Sequence, residues 1–331
     1  MPRHNPHKPF TPRAEQMALQ PDVSGNVING LGENSRRKAR TVYWALNPDD
    51  IPHGRMQRWF YTADPENPHV NQARAWRAGL LEEEVGPLHC HPVERSPDEW
   101  LQALRDHANE HVPCERIGAT PLDPDWLYEG VETGFSNVIM IAVQHDYEAI
   151  ATAPDGRAGG EVIRQYGRAA LSAKRIATWL RGQGWDADPV TGPMTGAILL
   201  IPPAIECGFG ELGKHGSLID PEFGSSFRLS AVLTNAPVAA TPRREHGIDD
   251  FCMNCRVCEQ ACPPEAISPE KKTVRGQLKW YVDFDKCLPF FNQHHGCAIC
   301  IAACPWSIPG AGLNLAEKLE RRRERAQAAP V

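Results

Sequence analysis

An α/β or α+β domain with a small cysteine-bearing module at its C-terminal side is the architecture this sequence predicts. Three observations predict it. Two apolar runs, NVIMIAV (137–143) and AILLI (197–201), flank an amphipathic helical pattern that begins at Gly160, and strands separated by helices define this class. Eight of the eleven cysteines fall in two runs near the C-terminus, each closing with Cys-Pro. Upstream of them lie about 240 residues, enough to bury a sizeable core.

In chain order, residues 1–35 are rich in Pro, His and Asn and predict an irregular arm laid over the surface. TVYWAL (41–46) predicts a short strand. Asn67-Pro68 opens a helix expected to run to Gly86. Ser96-Pro97-Asp98-Glu99 is a capping box with proline at the first helical position, so a helix is expected over 97–111. NVIMIAV, uninterrupted by polar residues, predicts a strand buried on both faces. From Gly160, Ile163, Tyr166, Ala170, Ala173, Ala177 and Leu180 recur at helical spacing, and Gly182 and Gly184 end the pattern. AILLI is a buried strand or an apolar approach to a helix. Residues 206–230 are dense in glycine and predict irregular structure, and 237–247 reads as a linker. Asn314 to Ala329 predicts a charged helix whose Arg321–Arg325 run is a solvated face or a docking patch.

The cysteine runs carry the chemistry. Residues 252–263 read CMNCRVCEQACP and residues 287–305 read CLPFFNQHHGCAICIAACP. Three thiolates at Cys-x-x-Cys-x-x-Cys spacing wrap one four-iron cubane, and the fourth cysteine of each run reaches the other cluster. This assigns Cys252, Cys255, Cys258 and Cys304 to one 4Fe–4S cluster and Cys287, Cys297, Cys300 and Cys262 to a second. Pro263 and Pro305 stop the preceding helices and direct the exits. The second run is stretched, with nine residues between Cys287 and Cys297. A zinc ribbon would need two pairs of ligands, and a disulfide framework suits short secreted chains.

Composition narrows the classes further. A formal net charge of −6 speaks against nucleic acid as a partner. No apolar run approaches the ~20 residues of a membrane span. Ser35-Arg36-Arg37 resembles a twin-arginine signal, but KARTVYWALNPDD after it lacks the ~7–15-residue apolar core such a signal needs. A cytoplasmic location is therefore expected, in keeping with free thiols and clusters.

GFGELGKHGSLIDPEFGSSFRL (208–229) is no phosphate cradle, because it has neither GxGxxG after a strand nor GKS/T. Its glycines would let the backbone approach a large flat ligand. The Gly-Glu-Leu-Gly, Gly-x-Leu-Ile, Pro-Glu-x-Gly and x-Arg-Leu run resembles that of the reductive dehalogenases. AIECG (204–208), the helix carrying Tyr166, GWDADP (184–189) and the ordered cysteine runs share in the resemblance, which covers roughly 131–306. It implies a nitroreductase-like core holding base-off cobalamin, followed by a ferredoxin-like module with two 4Fe–4S clusters. The implied cofactor contacts are Gly208, Gly210, Glu211, Gly216, Pro221, Phe223 and Gly224. No Asp-x-His-x-x-Gly string supplies a cobalt ligand; His89 and His91, flanking Cys90, are the only tightly spaced histidine pair flagged for a metal.

The implied reaction replaces carbon–halogen by carbon–hydrogen on a small organohalide, using two electrons and a proton. By resemblance Tyr166 is the proton donor and Arg228 its supporting cation; arginine stays charged when desolvated, and an unaided phenol, at ~10, is a weak acid. On the residues alone, Tyr166 also lies on the apolar stripe of its helix, and Arg228 falls in an expected loop. Many relatives carry Asn or Lys between these positions, where PVTGPMTGAILL (189–200) has neither; Thr195 falls near the place, and Lys214 or Lys174 is an alternative second cation. Epoxyqueuosine reductases, a rival family, carry Gly-Lys-Asn-Thr where this chain has Gly213-Lys214-His215-Gly216, and use an aspartate where no Asp occurs between Asp188 and Asp220. Other rivals are an iron–sulfur electron carrier without an active site and a corrinoid chaperone or inactive homologue. No flavin or NAD fingerprint is visible, so a separate donor such as ferredoxin or flavodoxin is expected. The expected division is 1–130, an N-terminal arm and helices; 131–245, the cobalamin core; 246–310, the two-cluster module; and 311–331, the charged helix.

Overall fold

In a computed structural model, which describes residues 5–192 and 196–328, the elements run α1 (Pro68–Leu81), α2 (Pro97–His111), β1 (Arg116–Pro121), β2 (Asn137–Gln144), α3 (Gly156–Gly182), β3 (Ala187–Val190), α4 (Ile201–Glu206), β4 (Glu211–Leu212), β5 (Leu218–Ile219) and β6 (Phe227–Thr234). The cysteine-bearing part adds α5 (Ile248–Asn254), α6 (Val257–Ala261), β7 (Lys272–Val274), β8 (Gln277–Lys279), α7 (Phe284–Gln293), α8 (Ile299–Ala302) and α9 (Ala311–Ala328).

An antiparallel sheet in the order β1-β2-β6-β3 forms the core. Both of its faces are covered, which explains the uninterrupted apolar run of β2. Ile139 and Ile141 face α2 and α3, with Trp100, Leu104, Ile176 and Leu180. Val138, Met140 and Ala142 face the opposite way, against Phe209, Phe223 and Phe227. Each fully buried isoleucine of this kind contributes roughly 1.5–3 kcal/mol. The predicted helix over 97–111 is present, with Ser96 and Glu99 closing the capping box.

Several expectations are revised. TVYWAL is irregular, with bends at Tyr43 and Leu46, and forms no ladder; the nearest pairing is a single bridge from Ala39 to Tyr128. α1 stops at Leu81 rather than Gly86, before the acidic Glu82–Glu84 run, which opposes the helix dipole there; Glu83 instead meets Arg175 at 3.2 Å. α3 starts at Gly156, four residues early, because Gly156, Gly159 and Gly160 let it press close to its neighbours; a Cβ on Gly160 would lie 2.8 Å from the His69 carbonyl oxygen. AILLI is the approach to α4, not a strand. The expected irregular segment 206–230 contains the β4–β5 hairpin and the start of β6. Arg228 therefore stands on a central strand, paired with Val143, and not on a loop.

The N-terminal arm lies across the cluster module. Asn26 accepts from Tyr281 Oη at 2.7 Å and from the Phe284 backbone N–H at 2.8 Å, and Tyr43 Oη donates to Asn292 Oδ1 at 2.7 Å. No described helix is long and apolar enough to cross a membrane.

Candidate active site and cluster sites

The fold assembles two groups of thiols. Cys252, Cys255, Cys258 and Cys304 line a small enclosed cavity with Lys214 and His215. Cys287, Cys297, Cys300 and Cys262 stand in the wall of a cavity of about 970 Å³. Cys262 thus leaves its own run for the other group, and Cys304 does the same in reverse. The chain achieves this by ending α6 at Cys262 with an extended residue before Pro263, and by starting a 3₁₀ turn at Pro305. No three His, Cys, Asp or Glu among the described residues gather as ligands of a single metal ion; the thiols stand around two spaces instead.

All eleven cysteines are free. Burial pushes the thiols of Cys258, Cys287, Cys297 and Cys304 up to about 12. Bare, they stay protonated at neutral pH, so their use as thiolates requires a compensating cation such as cluster iron. Cys252 is pushed up to about 11 by burial, opposed by the backbone N–H and the charge of Lys214.

The large cavity also receives Tyr166 from α3 and Arg228 from β6. The Arg228 guanidinium carbon lies 5.0 Å from the Tyr166 ring centroid. The placement follows from local pattern. Phe227, Leu229, Ala231 and Leu233 pack on one face of the sheet, so Arg228 and Ser230 take the α3 face, where Ser230 Oγ donates to the Ala169 carbonyl at 2.8 Å. The lower part of the α3 stripe is core, and Tyr166 is where that stripe emerges into the cavity. Arg228 Nε is buried without a partner among the described residues. Behind it His145, also buried, meets Ser226 Oγ at 3.4 Å; burial, then Arg228 and Arg168, hold its pKa well below the usual value.

Of the seven glycine-rich-segment residues expected to touch the cofactor, Gly216 lines the large cavity. The others are placed at joints. A Cβ on Gly210 would lie 1.9 Å from the Ile219 carbonyl oxygen, on Gly208 2.5 Å from that of Pro242, and on Gly224 2.3 Å from that of Trp306. The Glu211 carboxylate accepts from the Ile248 and Asp249 backbone N–H groups, both at 3.2 Å, and so caps α5. Phe223 is core, with Arg116 4.9 Å above its ring, and the Pro221 carbonyl is 2.4 Å from where a Cβ on Gly312 would stand.

Neither alternative cation joins Tyr166. Lys174 donates to the Leu81 and Glu83 carbonyls at 2.6 and 2.7 Å, and Lys214 points to the first thiol group. Thr195 lies outside the described residues. His89 and His91 are exposed. Sequence reasoning missed His215, whose buried Nε2 has no partner among the described residues and which lines both cavities; burial lowers its pKa to about 4. It also missed Tyr43, Trp44, Trp126 and Tyr128, which bring the N-terminal region into the cavity wall. The Tyr43-Trp44 pair within an otherwise ordinary apolar run was the available signal. Trp44 holds φ at 66°, a strained conformation for a bulky residue.

Comparison with known proteins agrees with this arrangement. Residues 251–308 match the family model of a 4Fe-4S dicluster domain. The chain is 35% identical over 207 residues to a tetrachloroethene reductive dehalogenase of Dehalobacter restrictus, covering 58% of this chain and 37% of that protein. It is 30% identical over 270 residues to an epoxyqueuosine reductase of a Synechococcus species, covering 71% of this chain and 76% of that protein. Among solved structures, a reductive dehalogenase bearing on B12-dependent dehalogenation superposes with a TM-score of 0.74 at 20% identity, over 96% of this chain and 48% of that one. This chain thus spans well under half the length of the dehalogenase relative and about half of the solved structure. Fold and site define the class, an iron–sulfur reductase with a large cavity beside one cluster. Within that class the chain is a homologue of the reductive dehalogenases over 58% of its length, and the epoxyqueuosine reductases are more distant relatives.

Proposed function

We propose that this chain is a cobalamin-dependent reductive dehalogenase acting on a small organohalide, R–X + 2e⁻ + H⁺ → R–H + X⁻. The observation that carries the reading is the shared cavity: Tyr166 and Arg228 face the same space as the second thiol group. The residues fit a large cofactor there. The cavity measures about 970 Å³, Gly216 lines its wall, and the buried Arg228 Nε and His215 Nε2 have no partner among the described residues. Base-off binding is part of this reading by resemblance, and the lack of an Asp-x-His-x-x-Gly string is consistent with it. When bound, cobalamin supplies a metal centre that accumulates two electrons and cleaves the carbon–halogen bond.

The chain's own residues do the rest. Tyr166 donates the proton to carbon. The Arg228 guanidinium stabilises the phenolate left behind. The aromatic wall around Trp44 holds an apolar substrate and excludes water. The first thiol group, Cys252, Cys255, Cys258 and Cys304, and the second, Cys262, Cys287, Cys297 and Cys300, each hold a 4Fe–4S cluster, and the second delivers electrons to the cavity. The working division is a core over 131–245, a cluster module over 246–310, and flanking segments that close it. A separate reduced ferredoxin or flavodoxin supplies the electrons, in a reducing, cytoplasmic setting that suits the clusters and the three remaining thiols, Cys90, Cys114 and Cys207.

A second reading, epoxyqueuosine reduction, draws on the 76% coverage of that relative. The lack of an Asp between Asp188 and Asp220 speaks against it. The test is anaerobic reconstitution with iron, sulfide and cobalamin, followed by metal analysis and a halide-release screen on haloalkanes and haloaromatics. About eight irons, two cubanes' worth, one cobalt and released halide support the proposal. Iron without cobalt reduces the chain to an electron carrier, and cobalt with activity only on epoxyqueuosine favours the second reading.

A further inference from the structure

Lys214 sits at the tip of the β4–β5 hairpin, which carries it out of the core and into the cluster module. Its side chain is 2% exposed. Its Nζ lies 2.6 Å from Glu259 Oε1 and 3.0 Å from the Cys255 carbonyl oxygen, and 5.0 Å from the Trp280 ring centroid. Burying an ammonium costs several kcal/mol even when it is paired, and nothing in the packing of a hairpin tip demands a cation. A methionine would fill the same slot. The charges are also not placed symmetrically. Lys214 lines the cavity formed by Cys252, Cys255, Cys258 and Cys304, whereas Glu259 lies behind it and does not. The second thiol group stands instead in the wall of the large cavity, whose lining includes Arg228, Arg275 and Lys279, and Lys8 acts on Cys262.

We infer that Lys214 is a redox-positioning residue: its buried ammonium raises the reduction potential of the first cluster. The inference rests on the proposed reading that both thiol groups hold clusters. A four-thiolate cubane gains negative charge on reduction, and net charge and hydrogen bonds around the sulfurs are among the factors that set its potential. A positive charge in the cavity wall stabilises the reduced form, and the carboxylate of Glu259 partly offsets it. The sign of each perturbation is therefore fixed. Removing the lysine charge lowers the potential of the first cluster, and removing the glutamate charge raises it.

The test is a redox titration of the anaerobically reconstituted full chain, followed by electron paramagnetic resonance, with Cys255→Ser used to assign the first-cluster signal. Lys214→Met is expected to shift the first cluster's reduction equilibrium at least tenfold toward the oxidised form, about 59 mV for one electron. Glu259→Gln should move it the other way, and the second cluster should move less than threefold in either variant. An unchanged first-cluster potential in Lys214→Met with full iron content overturns the inference. Should Lys214→Met lose iron, Lys214→Arg and Glu259→Gln decide: a wild-type potential in the first and a raised one in the second support it, and no rise in Glu259→Gln overturns it. A wild-type chain that binds no pair of four-iron clusters refutes the proposed function instead, a result visible before any variant is made.

Discussion

Replacing Tyr166 by Phe removes one oxygen and keeps the ring. The Arg228 guanidinium remains 5.0 Å above that ring, so the cation–π contact, about 0.5–2 kcal/mol, survives the change. The helix stripe is equally undisturbed, since phenylalanine satisfies the same apolar packing. Cofactor content and fold are therefore expected to be retained, and the loss falls on proton donation alone. A positioned general acid contributes about 10²–10⁴ in rate, which at 1.36 kcal/mol per decade is roughly 2.7–5.4 kcal/mol of barrier. The assay is halide release from the best substrate of the screen, with chemical reductant in excess so that electron delivery does not limit. Cobalt and iron contents are measured on the same samples. A turnover within threefold of wild type, with both metals at wild-type levels, would refute the role given to Tyr166 and leave Arg228 without a phenolate to support.

Other outcomes follow from the packing and the thiol arrangement. Cys262→Ser should perturb the spectrum of the second cluster rather than the first, although Cys262 belongs to the first run; paramagnetic resonance of each cluster checks this. Ile141→Ala, at a fully buried site on β2, should cost about 2–5 kcal/mol, read as a lowered denaturation midpoint in guanidinium. His145 is buried and its folded pKa is depressed below the ordinary 6.5 by burial, then by Arg228 and Arg168. The unfolded chain therefore takes up a proton that the folded one refuses, so stability is full above pH 6.5 and declines as the pH falls below it. Denaturation midpoints across pH 8 to 5 should show that decline, and His145→Asn should flatten it.

The parts of the fold carried by periodicity were readable in advance. The capping box at Ser96 and the apolar run of β2 marked their elements because local chemistry and tertiary context agree there. The glycine-rich segment hid β6 because attention to its glycines masked a plain alternation, Phe227, Leu229, Ala231 and Leu233 against Arg228 and Ser230. That alternation is what turns Arg228 toward Tyr166. The thiol groups were legible because spacing alone determines which cysteines share a loop. The roles of Glu211, Gly208, Gly210 and Gly224 were not: each is a close approach between segments distant in sequence, and glycine at such a joint looks the same as glycine beneath a ligand. The contribution of Tyr43 and Trp44 was equally hidden, because an irregular segment without helix or ladder has no period to betray it.

The hairpin tip that delivers Lys214, the backbone contact of Gly224 with Trp306 and the exchange of Cys262 and Cys304 between thiol groups have a joint consequence for how such a protein can be built. A ferredoxin-like module is usually pictured as a cartridge, clipped onto a catalytic body and exchangeable for another. Here the body reaches into the cartridge and helps wall its first cluster, while each half of the cartridge lends a thiol to the other. On the proposed ligand sets neither half holds four cysteines for a cluster without the other, and cutting the module free near residue 245 would open the core. Grafting a different electron-input module onto this scaffold would have to carry residues 208–224 along with it.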